Sequence, residues 1–217
     1  TSQGEMCMFV RDYMALDPVI VAPEDTLGRA LELMKKHSIR RLPVMSKGKL
    51  VGLVTENDLM RAYPSSATSL SVWEVNYLFP KIKIKDIMTR EIYTVTPDTI
   101  LEEAALIMQE KHISTLPVLE NNRLVGIITE SDLFKAFIDV LGLNHPSVRV
   151  TLAVQDQVGV LKNVAAVVGE AGFNIISTIV QRPSRDRVYI ILRLDTNDLD
   201  GVARVFAEAG IEVAHIC

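Results

Sequence analysis

Apolar and polar positions alternate along the chain in two rhythms, and the first of them is written twice. Between Val10 and Tyr63 a short apolar run, "VIVA", precedes Pro23, and Leu27, Ala30, Leu31 and Met34 then recur at i, i+3, i+4 and i+7. That spacing is one face of a helix. Two apolar stretches, "LPVM" and "LVGLVT", flank the polar pair Lys47-Gly48, which predicts two strands joined by a tight turn. A further helix is expected from Glu56. From Ile84 to Phe137 the same order returns at a constant offset of 74 residues: "YTVT" before Pro97, the stripe Leu101, Ala104, Ala105 and Met108, then "LPVL", Asn121-Asn122, "LVGIIT" and a helix from Glu130. Pro43 recurs as Pro117, Gly52 as Gly126 and Asp58 as Asp132, and about a third of the positions are identical in register. Each copy therefore reads as β-α-β-β-α, with Asp25 or Asp98 in the N-cap position. The helix stripe is too apolar for one copy alone, so the two copies are expected to bury these faces against each other.

After Asn144-His145-Pro146 the rhythm changes. Val148, Val150, Leu152 and Val154 alternate with Arg149, Thr151, Ala153 and Gln155, the pattern of a half-buried strand. Leu161, Val164, Ala165 and Val168 mark a helix stopped by Gly172. "NIISTIVQR" and "RVYIILRL" follow as strands about a turn from Pro183 to Asp186. Leu199, Val202, Ala203 and Phe206 give a second helix stopped by Gly210, and "IEVAHI" is a last strand. The order β-α-β-β-α-β is that of a ferredoxin-like split unit. The fold class is thus α/β (α+β): a pseudo-symmetric pair of repeats at 8–66 and 84–142, and a ferredoxin-like domain at 147–217. Between the repeats, 67–83 is expected to form a linker helix with Trp73 and Tyr77 on its packed face.

Composition narrows the function classes. With 48% hydrophobic and 23% charged residues among 217, the chain can bury a core. A net charge of −4 with no basic block argues against nucleic acid as a partner. No apolar run approaches the length of a membrane helix, and two cysteines, Cys7 and Cys217, make no disulfide framework, so a cytoplasmic protein is expected. The four histidines share no ligand spacing with carboxylates or cysteines, and no nucleophile-base arrangement is readable. No metal site and no catalytic residue are expected.

The repeated junction holds the candidate chemistry. Thr55 and Asp58, and again Thr129 and Asp132, stand three apart where a strand passes into a helix. That is the spacing of a capping box, in which the hydroxyl and carboxylate each satisfy a backbone amide. It also suits a phosphorylated sugar: helix N-terminal amides favour phosphate, a carboxylate accepts ribose hydroxyls, and the nearby Gly52 or Gly126 lets a ligand approach the backbone. The two readings are compatible.

On these residues each copy resembles a CBS motif, through "RRLPV" with "LVGLVTENDL" and through "KDIM", "STLPV" and "LVGIITESDL". The resemblance implies a tandem module that binds adenine nucleotides such as AMP, ADP, ATP or S-adenosylmethionine, with Thr55, Asp58, Thr129 and Asp132 on the ribose and phosphate. Arg40 and Arg41 in the first copy, and Ser114 and Thr115 in the second, border the ligand grooves, so the arginine groove is expected to favour polyphosphates. The C-terminal unit resembles an ACT domain, through "VQDQVGVLKNVA" and "GFNI". It implies a small-metabolite site near Asp156, Gly159, Leu161 and Asn174, although Gln157 and Val158 depart from the family's usual basic residue and proline. The order CBS-CBS-ACT is similar to the AcuB-type acetoin utilization proteins. The expected function is a non-catalytic, homodimeric ligand sensor acting on an unidentified protein. The alternative is a dimeric interaction scaffold whose grooves hold no ligand; an enzyme is the least favoured reading.

Overall fold

The structure, a computed structural model, describes residues 8–62, 82–183 and 187–217. Two compact units divide the chain, one ending at Leu133 and one running from Phe134 to Cys217. The expected linker helix at 67–83, with Trp73 and Tyr77, lies almost wholly outside the described residues.

The two repeats fold alike, and the last helix of the second runs past Leu133. The first copy comprises α1 (Val10–Tyr13), β1 (Ala15–Leu16), α2 (Leu27–His37), β2 (Arg41–Ser46), β3 (Lys49–Thr55) and α3 (Glu56–Ala62). The second comprises α4 (Ile84–Ile87), α5 (Leu101–Lys111), β4 (Thr115–Glu120), β5 (Arg123–Thr129) and α6 (Glu130–Val140). Both hairpins are antiparallel in the same register, with Arg41 opposite Thr55 and Thr115 opposite Thr129, and both shift register after the same position, Val44 or Val118. Lys47-Gly48 and Asn121-Asn122 turn them with positive φ at both residues, the backbone that matches the strands' own twist. The helix stripes bury Leu27, Ala30 and Met34, and Leu101, Ala104 and Met108, as the periodicity predicts. Leu33 joins the first stripe, whereas Leu31 is only partly buried.

Two local expectations fail. The strands before Pro23 and Pro97 shrink to single parallel bridges, Val21 with Val44 and Val95 with Val118, since the following proline has no N–H to continue a ladder. The aspartates do not cap the helices. Asp25 Oδ2 accepts the Ala22 amide at 2.7 Å, closing the preceding turn, and Thr26 caps α2 by accepting the Arg29 amide at 3.2 Å. In the second copy Ile100 holds the cap position with no side-chain bond, and Asp98 is instead ion-paired with Arg11.

The copies are joined by exchange of their leading segments. Val10 N donates to Thr99 O (2.8 Å), Arg11 N to Pro97 O (3.0 Å), and Leu101 N to Met8 O (2.9 Å). With the copies interchanged, Ile84 N donates to Asp25 O (3.0 Å), Lys85 N to Pro23 O (3.0 Å), and Leu27 N to Ile82 O (3.1 Å). Likewise β1 pairs with β5, placing Ala15 opposite Ile127, while Thr89 bridges Leu53. Val10 and Ile84 are fully buried, Ile84 inside the first copy's core. Arg11 with Asp98 and Lys85 with Glu24, the latter at 2.8 Å, are matching ion pairs across the exchange.

The glycines of the third strands belong to this crossing. A Cβ on Gly52 would strike the Met88 side chain and lie 3.2 Å from Thr89 O; one on Gly126 would lie 2.6 Å from Met14 Sδ and 3.0 Å from Ala15 O. They make room for the other copy's leading segment, not for a ligand as the sequence suggested.

The second unit contains β6 (Val148–Gln155), α7 (Val160–Glu170), β7 (Ile175–Gln181), β8 (Arg187–Leu194), α8 (Leu199–Glu208) and β9 (Glu212–Ile216). Its strands are antiparallel in the order β7-β8-β6-β9, the arrangement of a split β-α-β unit. Val150, Leu152, Ile190 and Leu192 pack with Val164, Val168, Val202 and Phe206 in one core. Gly172 and Gly210 take left-handed φ of 79° and 66° just beyond the helices, where a Cβ would be strained.

Candidate functional site

The first junction closes as a full capping box, and the second repeats its carboxylate half. Asp58 Oδ2 accepts the Thr55 amide at 2.8 Å and its hydroxyl at 2.7 Å, and the Asp58 amide donates back to Thr55 Oγ1 at 3.3 Å. Asp132 Oδ2 accepts the Thr129 amide at 2.8 Å and its hydroxyl at 2.7 Å. The strand end fixes the threonine and the first helical turn fixes the aspartate. Among the described residues no hydrogen bond falls on Oδ1 of either carboxylate, so each keeps one oxygen able to accept.

Beside the first junction lies a cavity of about 340 Å³, within the size range of small-molecule sites. Thr55 and Asp58 line it together with Arg40 and Arg41 from the first copy and Ser114 and Thr115 from the second. Arg41 Nη2 donates to Ser114 Oγ at 2.8 Å, a bond across the repeat. The sequence reading assigned the arginine pair and the hydroxyl pair to separate grooves; this cavity gathers both, because β3 and β5, whose hairpin partners begin at Arg41 and Thr115, face each other across the repeat. Thr129 and Asp132 do not line it. Thr115 is only 4% exposed, and its Oγ1 has no hydrogen-bond partner among the described residues. A buried hydroxyl left unpaired is costly.

Charge on the cavity wall is mixed. Arg40 Nε stands 3.7 Å from Glu56 Oε2, with its side chain 79% exposed. Ile92, Tyr93 and His112 also line the cavity. Tyr93 donates its hydroxyl to Glu91 Oε1 at 2.7 Å, and Lys111 Nζ sits 5.2 Å from its ring centroid. The bond to Glu91, then burial and the Glu91 charge, raise the phenol above its usual value, so Tyr93 is a neutral aromatic wall at physiological pH. Sequence reasoning missed Tyr93: its counterpart in the first copy is Val19, so the repeat itself gives no signal there.

In the C-terminal unit the four expected residues do not converge. Gly159 precedes α7 with φ of 88°, Asp156 Oδ2 is ion-paired with Arg182 Nε at 3.1 Å, and Leu161 is 42% exposed in the first turn. Asn174 lies beyond the other end of α7, an 11-residue helix and therefore about 16 Å long. Among the described residues no group of three histidine, cysteine or acidic side chains is placed to hold a metal, and no helix is long and apolar enough to cross a membrane.

Comparison with known proteins agrees with the geometry. The model of the CBS domain matches residues 10–65 and again residues 84–139. The chain belongs to the CBS-domain family. Over 136 residues it is 32% identical to an uncharacterized protein, MJ1225, of Methanocaldococcus jannaschii, covering 59% of this chain and 46% of that protein. The chain thus spans less than half of that relative's length. A solved structure of a candidate acetoin utilization protein (AcuB) from Vibrio cholerae is 33% identical with a TM-score of 0.52, covering 63% of this chain and 94% of that one. The CBS domain pair of protein MJ0100, solved in complex with 5-methylthioadenosine and S-adenosyl-L-methionine, is 29% identical with a TM-score of 0.50, covering 59% and 94%.

Proposed function

We propose that this CBS pair is a regulatory sensor that binds an adenine nucleotide, AMP, ADP, ATP or S-adenosylmethionine, in the cavity beside Thr55 and Asp58, and that it catalyses no reaction. The observation that carries the reading is the convergence, in about 340 Å³, of a free carboxylate oxygen, two arginines and a buried unpaired hydroxyl drawn from both copies. Asp58 Oδ1 would take the ribose hydroxyls, Tyr93 and Ile92 would face the base, and Arg40 and Arg41 would meet the phosphates. The adenosyl ligands of the MJ0100 pair support the same ligand class. Thr129 and Asp132 would serve a second nucleotide at the matching junction.

One observation favours the rival reading of a scaffold without ligand: in each Thr-x-x-Asp pair the carboxylate already holds the threonine's amide and hydroxyl. Thermal unfolding with AMP, ATP or S-adenosylmethionine separates the two. A ligand at 100 times its dissociation constant adds about 2.7 kcal/mol, and Asp58→Ala removes the response of this cavity. No shift with any of the three, or an undiminished shift in Asp58→Ala joined to Asp132→Ala, would sink the proposal.

The C-terminal unit fits this sensor as an ACT-like domain. Asp156, Gly159 and Leu161 at one end of α7, and Asn174 past the other, would form a small-acid site only between two copies, which favours a homodimer. Similarity to the Vibrio cholerae protein suggests acetoin utilization as the setting. Light scattering at twice the 24.1 kDa chain mass is the expected result.

A further inference from the structure

In the C-terminal unit the sheet buries Val148, Val150 and Leu152 against its helices, so the alternate residues of β6 and β8 point to the opposite face. On that face Arg149 and Arg193 stand directly opposite each other across the two central strands. Like charges in that register repel. Among the described residues neither arginine is in an ion pair: those of this unit are Arg182 with Asp156 and Arg187 with Glu212, both at the other end of the sheet. Arg149 and Arg193 are partly buried and held by hydroxyls instead. Arg149 Nη1 donates to Thr151 Oγ1 at 3.1 Å, and Arg193 Nη1 donates to Ser147 Oγ at 2.9 Å.

The surroundings fix these side chains in place. Ser177, cross-strand from Arg193, donates its hydroxyl to Leu141 O at 3.0 Å, and Ser147 Oγ donates to His145 O at 3.0 Å. A Cβ at Gly142 would stand 3.7 Å from Arg193 Cδ, so the arginine stem runs alongside that left-handed turn. Residues 141–147 therefore wall one end of the sheet face, next to two guanidinium groups outside any ion pair among the described residues and two hydroxyls.

We infer that Arg149 and Arg193 form a binding site for a dianionic oxyanion, a phosphate group or a dicarboxylate, on the sheet face opposite α7 and α8. Two positive charges match a dianion, guanidinium groups bind such oxygens in forked pairs, and the repulsion between the arginines is relieved when the anion lies between them. The site shares no residue with the nucleotide cavity or with the Asp156–Asn174 set.

The test is an amide NMR titration of the full chain with inorganic phosphate and, separately, succinate, at constant ionic strength. Saturable shifts are expected at Ser147, Arg149, Thr151 and Arg193 with at least one of the two probes. Arg149→Gln and Arg193→Gln should each weaken that binding by about tenfold or more, while Arg187→Gln, at the other end of the sheet, leaves it unchanged. Shifts that never saturate, that survive in the double Arg149→Gln/Arg193→Gln variant, or that fall only around Arg40 and Arg41 would overturn the inference. Should a variant lose its fold by circular dichroism, the location and saturation of the wild-type shifts decide the matter alone.

Discussion

Asp58 and Asp132 each use one oxygen to close a helix and keep the other free, so their surroundings decide what each can do. Around Asp58 the decisive neighbours are Arg40 and Arg41. A hydrogen bond to a charged group contributes about 1.5–3 kcal/mol, against about 1 kcal/mol for a neutral one. Replacing the pair by the second copy's residues, Arg40→Ser with Arg41→Thr, should therefore lower affinity for ATP more than for AMP, by about tenfold. Calorimetric titration of both nucleotides checks this; an unchanged ATP-to-AMP ratio would make the arginines ordinary surface residues. The Thr-x-x-Asp pairs were legible in the sequence because capping and sugar binding need the same spacing. Tyr93 was not, nor was the burial of the Thr115 hydroxyl at the groove the sequence had named, since cavity walls are assembled from segments distant in the chain and burial is a tertiary property.

Between elements, the exchange of leading segments governs how the repeats hold together. Gly52 lies under Met88 of the other copy, so Gly52→Ala forces that side chain or the backbone at Thr89 to move. Overpacking of this kind costs about 1–3 kcal/mol. Met88→Ala introduced alongside should recover part of the loss, and a double-mutant cycle in urea measures the coupling; additive losses would show that the two residues do not meet. The exposed Glu24–Lys85 pair is a smaller tie between the same segments. Its hydrogen bond holds the Glu24 carboxyl below its ordinary value and raises Lys85. A lowered folded-state value means that the contribution is present above the unfolded value and is lost as pH falls through the folded one. Glu24→Gln should thus narrow the difference in melting temperature between pH 7 and pH 3, and salt should shrink the effect further. The helix stripes and hairpin turns were readable because they repeat a local period. The exchange was not: a leading segment that pairs with the other copy has the same sequence as one that pairs with its own.

At the scale of the molecule, the constant offset of the repeat and the order of elements along the C-terminal unit were both visible in the hydrophobic pattern. That Asp156 and Gly159 lie at the opposite end of α7 from Asn174 was not, because the pattern of a helix does not say which of its flanking residues meet. The two units have cores of their own: Val21, Leu42 and Val54 with Ile84 in the first, and Val150, Ile190 and Leu192 with Phe206 in the second. A unit that closes its own core can unfold as its own cooperative step. Scanning calorimetry of the full chain should then resolve two transitions. Saturating AMP or ATP should raise only the one assigned to the CBS pair, since a ligand stabilises the state that binds it. The assignment is made independently by Phe206→Ala, which empties the second core and costs about 3–5 kcal/mol, lowering the other transition. A single transition that moves as a whole, both with nucleotide and with Phe206→Ala, would mean that the two cores melt as one cooperative body.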